Sequence, residues 1–247
     1  MLKKNFLALL AFFLLTPSAS AEPDECVILL HGLGRTNLSM LALELALRLD
    51  YTVVNPNYPS TRKSIEELTY VVEEGIKECQ KRSATQIHFV THSLGGILVR
   101  KYFQDRVVPE AKRVVMLAPP NHGSEIADHY KDSWWYQFTT GPAGQELGTE
   151  EESLPNVLKP IPLEVGIIAG TRSSDPWFDF LISGDGDGKV AVSSTRLHEM
   201  KDFILFHKGH TFIANSTEVI EQVEHFLKQG TFKKDDDLSQ QPESAKE

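Results

Sequence analysis

The sequence predicts an α/β fold, a single domain with a mostly parallel sheet covered by helices on both faces. Short apolar runs alternate with helix-like segments from Cys26 onward, which is the pattern of a parallel sheet. The runs are apolar through and through, as strands buried on both faces are. The chain has 247 residues, a length that suits one α/β domain with a well-buried core.

The elements follow in order. Residues 1–21 read as a secretory leader: Lys3 and Lys4 make a basic start, "FLALLAFFLL" is an apolar stretch from Phe6 to Leu15, and Ala19-Ser20-Ala21 is a small-x-small cleavage pattern. The stretch is short for a membrane span; the alternative is an uncleaved anchor. The basic, short-cored leader looks bacterial, and no cysteine stands at the cleavage point, so a periplasmic or secreted protein is expected rather than a lipoprotein. The mature chain should hold no stable membrane span.

"CVILLHG" is the first strand, ending in His31-Gly32. Leu38 to Leu49 is helix-like, and "YTVVNPNYP" is a second strand stopped by Pro56 and Pro59. Ser64 to Lys81 is an amphipathic helix, in which Ser64 and Glu67 form a capping-box pattern. "QIHFVTHS" is the third strand, Leu94 to Phe103 a helix, and "KRVVMLAPP" the fourth strand. "LEVGIIAG" and "DFILFH" are later strands, and Thr217 to Leu227 is a last helix. The folded domain is expected over 22–228, with a polar, disordered tail over 229–247.

Residues 124–160 break the alternation with "DSWWYQF", three glycines, three prolines and an acidic run. A stretch of this length between two sheet strands is functional or carries its own helices. It sits where a lid or acyl-pocket wall would sit. Trp134, Trp135, Tyr136 and Phe138 form that wall on one reading, or pack a helix onto the core on the other.

The net charge is −9, and the leader holds two lysines and no acid, so the mature chain is more acidic still. That argues against nucleic acid and anionic membranes as partners. Cys26 and Cys79 are the two cysteines; they are too few for an ordinary zinc site, and in an oxidising compartment they can pair.

Reactive residue types gather at strand ends: "HGLGR" (His31 to Arg35), "THSLGG" (Thr91 to Gly96), "GDGDGKVAVSS" (Gly184 to Ser194) and "FHKGHTFI" (Phe206 to Ile213). Together they resemble the α/β-hydrolase superfamily, within it the small bacterial lipases and serine esterases, over about Val27 to Leu227. Each motif alone is weak; their order, Ser then Asp then His, is that of the fold.

The resemblance implies a single-domain α/β-hydrolase fold with a short lid-like insertion, and a role for each matching residue. Ser93 is the nucleophile, which needs a base to take its proton. His210 in "GHTFI" is that base, with His207 as rival. Asp187 in "DGKV" orients it, with Asp185 and Asp175 as alternatives. The N–H groups of Leu33 and Leu94 are the oxyanion donors. His31, Gly32, His92, His122, Trp134 and Trp135 are expected around the substrate, with Gly123 and Ser124. His92 is excluded as base because a strand neighbour of Ser93 points its side chain the other way. Thr91 departs from the usual glycine two residues before the nucleophile. Asp185 and Asp187 also resemble part of a calcium loop, but its later ligand positions are absent, and neither metal nor cofactor is expected. In this fold the first and third strands are neighbours, which places Cys26 and Cys79 together at the end away from the site and predicts a disulfide.

The expected activity is cleavage of carboxylic esters, small-molecule or lipid, through an acyl-enzyme. The same triad serves amidases, thioesterases and acyltransferases, and a non-catalytic binding protein on this fold is the third reading.

Overall fold

A computed structural model of the chain describes residues 24–173 and 179–234. The expected leader, Asp175 and residues 235–247 of the expected tail lie outside these.

Six strands form one sheet: β1 (Glu25–Leu30), β2 (Thr52–Val54), β3 (Gln86–His92), β4 (Ala111–Leu117), β5 (Glu164–Gly170) and β6 (Met200–Phe206). Their order is β2-β1-β3-β4-β5-β6, and every neighbouring pair is parallel. Each corresponds to an apolar run read as a strand. The chain turns outward from β1 to β2 and then crosses back to β3. The order thus reverses between β1 and β3, and in open α/β sheets ligands bind at the carboxyl ends of such a pair. Here those ends are His31-Gly32 and His92-Ser93.

The helices are α1 (Leu41–Leu47), α2 (Ile65–Leu68), α3 (Tyr70–Lys81), α4 (Leu94–Tyr102), α5 (Glu125–Tyr130), α6 (Trp134–Gln145), α7 (Leu154–Val157), α8 (Val192–Thr195) and α9 (Thr217–Gln229). Alternation along β1 shows how they cover both faces. Cys26, Ile28 and Leu30 pack with α2, α3 and α4, while Val27 and Leu29 pack with α1 and α9. Both sets are fully buried. No helix among the described residues is long and apolar enough to cross a membrane.

Two expectations shift. The helix read as continuous from Ser64 is two helices that meet at Thr69. The Thr69 hydroxyl donates to the Glu66 carbonyl at 2.7 Å, and its N–H reaches back only three residues to the same oxygen, a competition that threonine invites. The capping box is present: Glu67 N–H donates to Ser64 Oγ at 3.2 Å, and Ser64 N–H to the Glu67 carboxylate at 2.9 Å. The second shift is at the carboxyl end, where order runs past 228. Gly230 caps α9 in the left-handed conformation, and Phe232 is buried against Phe226, their ring centroids 4.9 Å apart. One aromatic in a polar segment is enough to dock it.

Cys26 and Cys79 stand at disulfide distance, Cα–Cα 5.7 Å, at the amino-terminal end of β1.

The insertion carries its own helices, α5 to α7. α6 is kinked at Gly141, whose φ is 63°. A side chain there would start 1.7 Å from the Thr61 carbonyl oxygen, so only glycine lets the two backbones meet. Beyond the kink, Ala143 N–H donates to Lys63 O at 3.2 Å, and Glu146 accepts from Ile65 N–H at 3.1 Å. The far end of the insertion is therefore clasped to the segment before α2.

Candidate active site

Ser93 sits between β3 and α4 at φ 52°, ψ −120°. A serine at positive φ is held there at a cost of about 1–3 kcal/mol by what surrounds it. Its N–H donates to Leu117 O at 2.9 Å, and its carbonyl accepts from Gly96 N–H at 3.0 Å. Gly95 makes the tight turn fit, because a β-carbon there would lie 2.6 Å from the Leu30 carbonyl oxygen. The Thr91 departure also has a physical setting. Its Oγ1 lies 3.3 Å from where a β-carbon on Gly96 would stand. Glycine at 96 accommodates what glycine at 91 usually avoids.

His210 lies in the loop after β6, buried, and is tied twice to Asp187. Its main-chain N–H donates to Asp187 O at 3.0 Å, and its Nδ1 meets Asp187 Oδ2 at 2.7 Å. Asp187 Oδ1 accepts from the N–H groups of Lys189 and Val190 at 3.0 and 2.9 Å. Burial pushes the Asp187 carboxyl up, but the His210 charge, its hydrogen bond and the two amides outweigh that and hold it below the usual carboxylate range. An ionised Asp187 keeps the proton of a neutral His210 on Nδ1 and leaves Nε2 with its lone pair.

Ser93 and His210 line one cavity of about 250 Å³. Leu33, Ile126, Trp135, Tyr136 and Leu147 supply its apolar wall, and Arg35 and Lys189 are also in its lining. Leu94 opens α4, where an N–H has no intrahelical acceptor. The loop of Leu33 is turned by Arg35 N–H donating to Gly32 O at 3.2 Å.

His92 is buried beside them. Its Nε2 donates to the His210 carbonyl at 2.9 Å, and the two rings are 4.8 Å apart. Burial, then the neighbouring His210, pushes His92 down to about 3, so it stays neutral.

The expected surroundings of the substrate divide. Gly32, His92, Ser124 and Trp135 line the cavity; His31, His122 and Trp134 do not. His31 is fully buried beneath the loop, stacked on Tyr58 with ring centroids 3.8 Å apart. Its Nδ1–H donates to Gly32 O at 2.9 Å, and its Nε2 accepts from Tyr58 N–H at 3.4 Å. The Tyr58 hydroxyl donates to the His31 carbonyl. His31 is thus a brace for the loop. His122 turns out to a separate surface hollow and bonds Asn156 Oδ1 at 2.8 Å. Trp134 is 78% exposed and Phe138 82%, whereas Tyr136, two residues on from Trp134, is buried; the aromatic run therefore both packs inward and faces out. Of the rivals to the base and acid, His207 is exposed and meets Thr171, and Asp185 is exposed. Among the described residues no three His, Cys, Asp or Glu side chains gather as metal ligands.

No family model and no curated protein sequence matches the chain. Its structure is similar to solved ones. The mature form of the Bacillus licheniformis lipase BlEst2 superposes with TM-score 0.69 at 18% identity, covering 85% of this chain and 92% of that one. The metagenomic carboxyl esterase MGS0156 gives TM-score 0.54 at 15% identity over 79% of this chain and 66% of its own. Phospholipase PlaB from Legionella pneumophila gives 0.54 at 17% identity over 70% of this chain and 45% of its own. The chain has a single-domain α/β-hydrolase fold.

Proposed function

We propose that the protein is an exported serine hydrolase that cleaves carboxylic esters. The observation that carries this reading is the buried Asp187–His210 pair opening onto the same cavity as Ser93, which is held at a positive φ. Ser93 Oγ attacks the carbonyl carbon as Nε2 of His210 takes its proton. The oxyanion is met by the N–H groups of Leu33 and Leu94. The bond from the carbonyl carbon to the alcohol oxygen breaks, and the proton on His210 passes to that oxygen. Water, deprotonated by His210, then splits the acyl-enzyme and restores Ser93. Asp187 stays ionised throughout and stabilises the imidazolium.

The acyl chain lies along Leu33, Ile126, Trp135, Tyr136 and Leu147, and Gly32, His92 and Ser124 border the reacting centre. No residue in this scheme requires a cofactor. Support for export is the cysteine pair at disulfide distance and the leader-like residues 1–21.

Purified protein should hydrolyse p-nitrophenyl esters and react at Ser93 with a fluorophosphonate. Ser93→Ala should lose both; full ester turnover by Ser93→Ala would overturn the proposal.

A further inference from the structure

The cavity at Ser93 shares Gly34 and Arg35 with a second, more open hollow of about 380 Å³. The second hollow is lined with polar groups, among them Thr36, Asn57, Ser60, Thr61 and Arg62. The charges are one-sided. Arg35 and Lys189 line the first space, Arg35 and Arg62 the second, and among the described residues no carboxylate lines either. In a chain with 34 acidic and 25 basic residues, that is a local reversal of sign. Among the described residues neither Arg35 nor Arg62 forms an ion pair. Among the described residues, the one side-chain bond of the Arg35 guanidinium is from Nη2 to Thr211 Oγ1 at 2.9 Å. A guanidinium has five N–H donors, so Arg35 keeps several for a ligand.

Its position gives direction. Thr211 follows His210, so the bond holds the guanidinium on the base's side of the cavity. In the proposed reaction the base hands its proton to the departing alcohol, so the alcohol leaves on that side, away from the apolar wall that takes the acyl chain. We infer that the alcohol portion of the substrate carries an anion of the phosphate type, bound by Arg35 and extending toward Arg62. This rests on the ester-hydrolase reading and names its substrate class: an acyl ester of a phosphate-bearing alcohol. Planar, forked donation to phosphate oxygens is what arginine provides at such a position.

The test compares octanoyl esters of glycerol 3-phosphate and of glycerol, both below their aggregation concentrations. The wild-type protein should favour the phosphate ester by about tenfold or more in kcat/KM. Arg35→Met should lower the ratio of the two kcat/KM values by about tenfold, Arg62→Met by less, and Arg35→Lys, which keeps the charge but not the fork, should keep only part of it. Added salt should raise KM for the phosphate ester selectively. A preference found with monomeric esters assigns a small soluble phosphate ester. One found only on phosphatidylglycerol over diacylglycerol, each dispersed in micelles of a nonionic detergent, and lost in Arg35→Met, assigns a lipid headgroup. Equal kcat/KM for the paired esters together with equal rates on the two dispersed lipids overturns the inference, as does a preference that Arg35→Met leaves unchanged. Fluorophosphonate labelling and p-nitrophenyl butyrate turnover separate the two levels. If both are absent, the hydrolase reading fails and takes the inference with it; if they are present without the preference, the inference alone fails.

Discussion

Nε2 of His92 donates to the main-chain carbonyl of His210 at 2.9 Å, joining β3 to the loop that carries the proposed base. One bond spans 118 residues of chain and fixes where the imidazole of His210 stands relative to Ser93. His92→Ala removes it and leaves a buried carbonyl unsatisfied, at a cost of about 1–3 kcal/mol. We expect kcat to fall about tenfold or more with KM little changed, and His92→Gln, which restores an N–H, to recover part of the loss. Steady-state kinetics decide it; an unchanged kcat in His92→Ala would remove this role.

Asp187→Asn should lower kcat by roughly 10³–10⁴-fold, because an amide cannot hold the Nδ1 proton and stabilise the imidazolium as a carboxylate does. Fluorophosphonate labelling of Ser93 should slow in parallel. Full labelling in Asp187→Asn would assign the acid to another residue.

Glycine 95 is tested by a single methyl. Gly95→Ala places a carbon 2.6 Å from the Leu30 carbonyl oxygen, and main-chain atoms of β1 cannot yield as a side chain can. A loss of about 1–3 kcal/mol is expected in urea unfolding. Thr91→Val should behave in the opposite way: Thr91 Oγ1 is buried with no hydrogen-bond partner among the described residues, so exchanging the hydroxyl for a methyl should be neutral or stabilising by up to about 1 kcal/mol. Equal destabilisation by the two variants would show that the turn geometry is misread.

Acid should destabilise the fold through three buried histidines. Burial lowers His31 and His88, and it pushes His92 down to about 3. In the unfolded chain each takes a proton near pH 6.5, whereas in the native chain His31 takes it at lower pH, His88 near 4 and His92 near 3. Below about 6.5 the unfolded state therefore binds more protons, and stability falls as pH falls. The slope should approach about 1.4 kcal/mol per pH unit for each of His88 and His92, with a smaller share from His31. Urea midpoints between pH 7.5 and 4.5 measure it; a flat profile contradicts the neutral assignments.

The strands were legible because buried parallel strands are continuous apolar runs, and "CVILL" or "EVGIIAG" admits no other short buried element between its turns. Ser93 and His210 were legible because they stand next to strand patterns, directly after β3 and four residues after β6, whereas Asp187 lies in the long connection from β5 to β6 and was named only through the resemblance. What the sequence hid depends on contacts between distant segments. The "HG" pair implies a residue at the substrate, yet His31 turns under the loop, because Tyr58, 27 residues away, offers a ring to stack on. The split of the Trp134–Phe138 run follows from helical spacing, since Trp134 and Phe138, four apart, share the outer face of α6, and Gly141 has meaning only once Thr61 lies against it. A signal for Arg35 was present in "HGLGR", but its standing without a carboxylate partner is a property of the folded surface.

Cys26 and Cys79 lie far from the chemistry, yet a bond between them draws a boundary through the site. It closes a covalent ring around the segment that carries Leu33, Arg35 and Arg62, and leaves Ser93, Asp187 and His210 on the open chain. In the chain-entropy model such a ring is worth roughly 4 kcal/mol. Its second effect concerns damage. Leu49 is 83% exposed, and a protease that cuts beside it severs the ring without releasing either piece. The nicked protein stays joined through sulfur and keeps its oxyanion loop, so ester turnover should survive the cut and be lost only when a thiol reductant is added. In the proposed exported setting, where peptidases are common and reductants scarce, that linkage makes one broken peptide bond a tolerable injury.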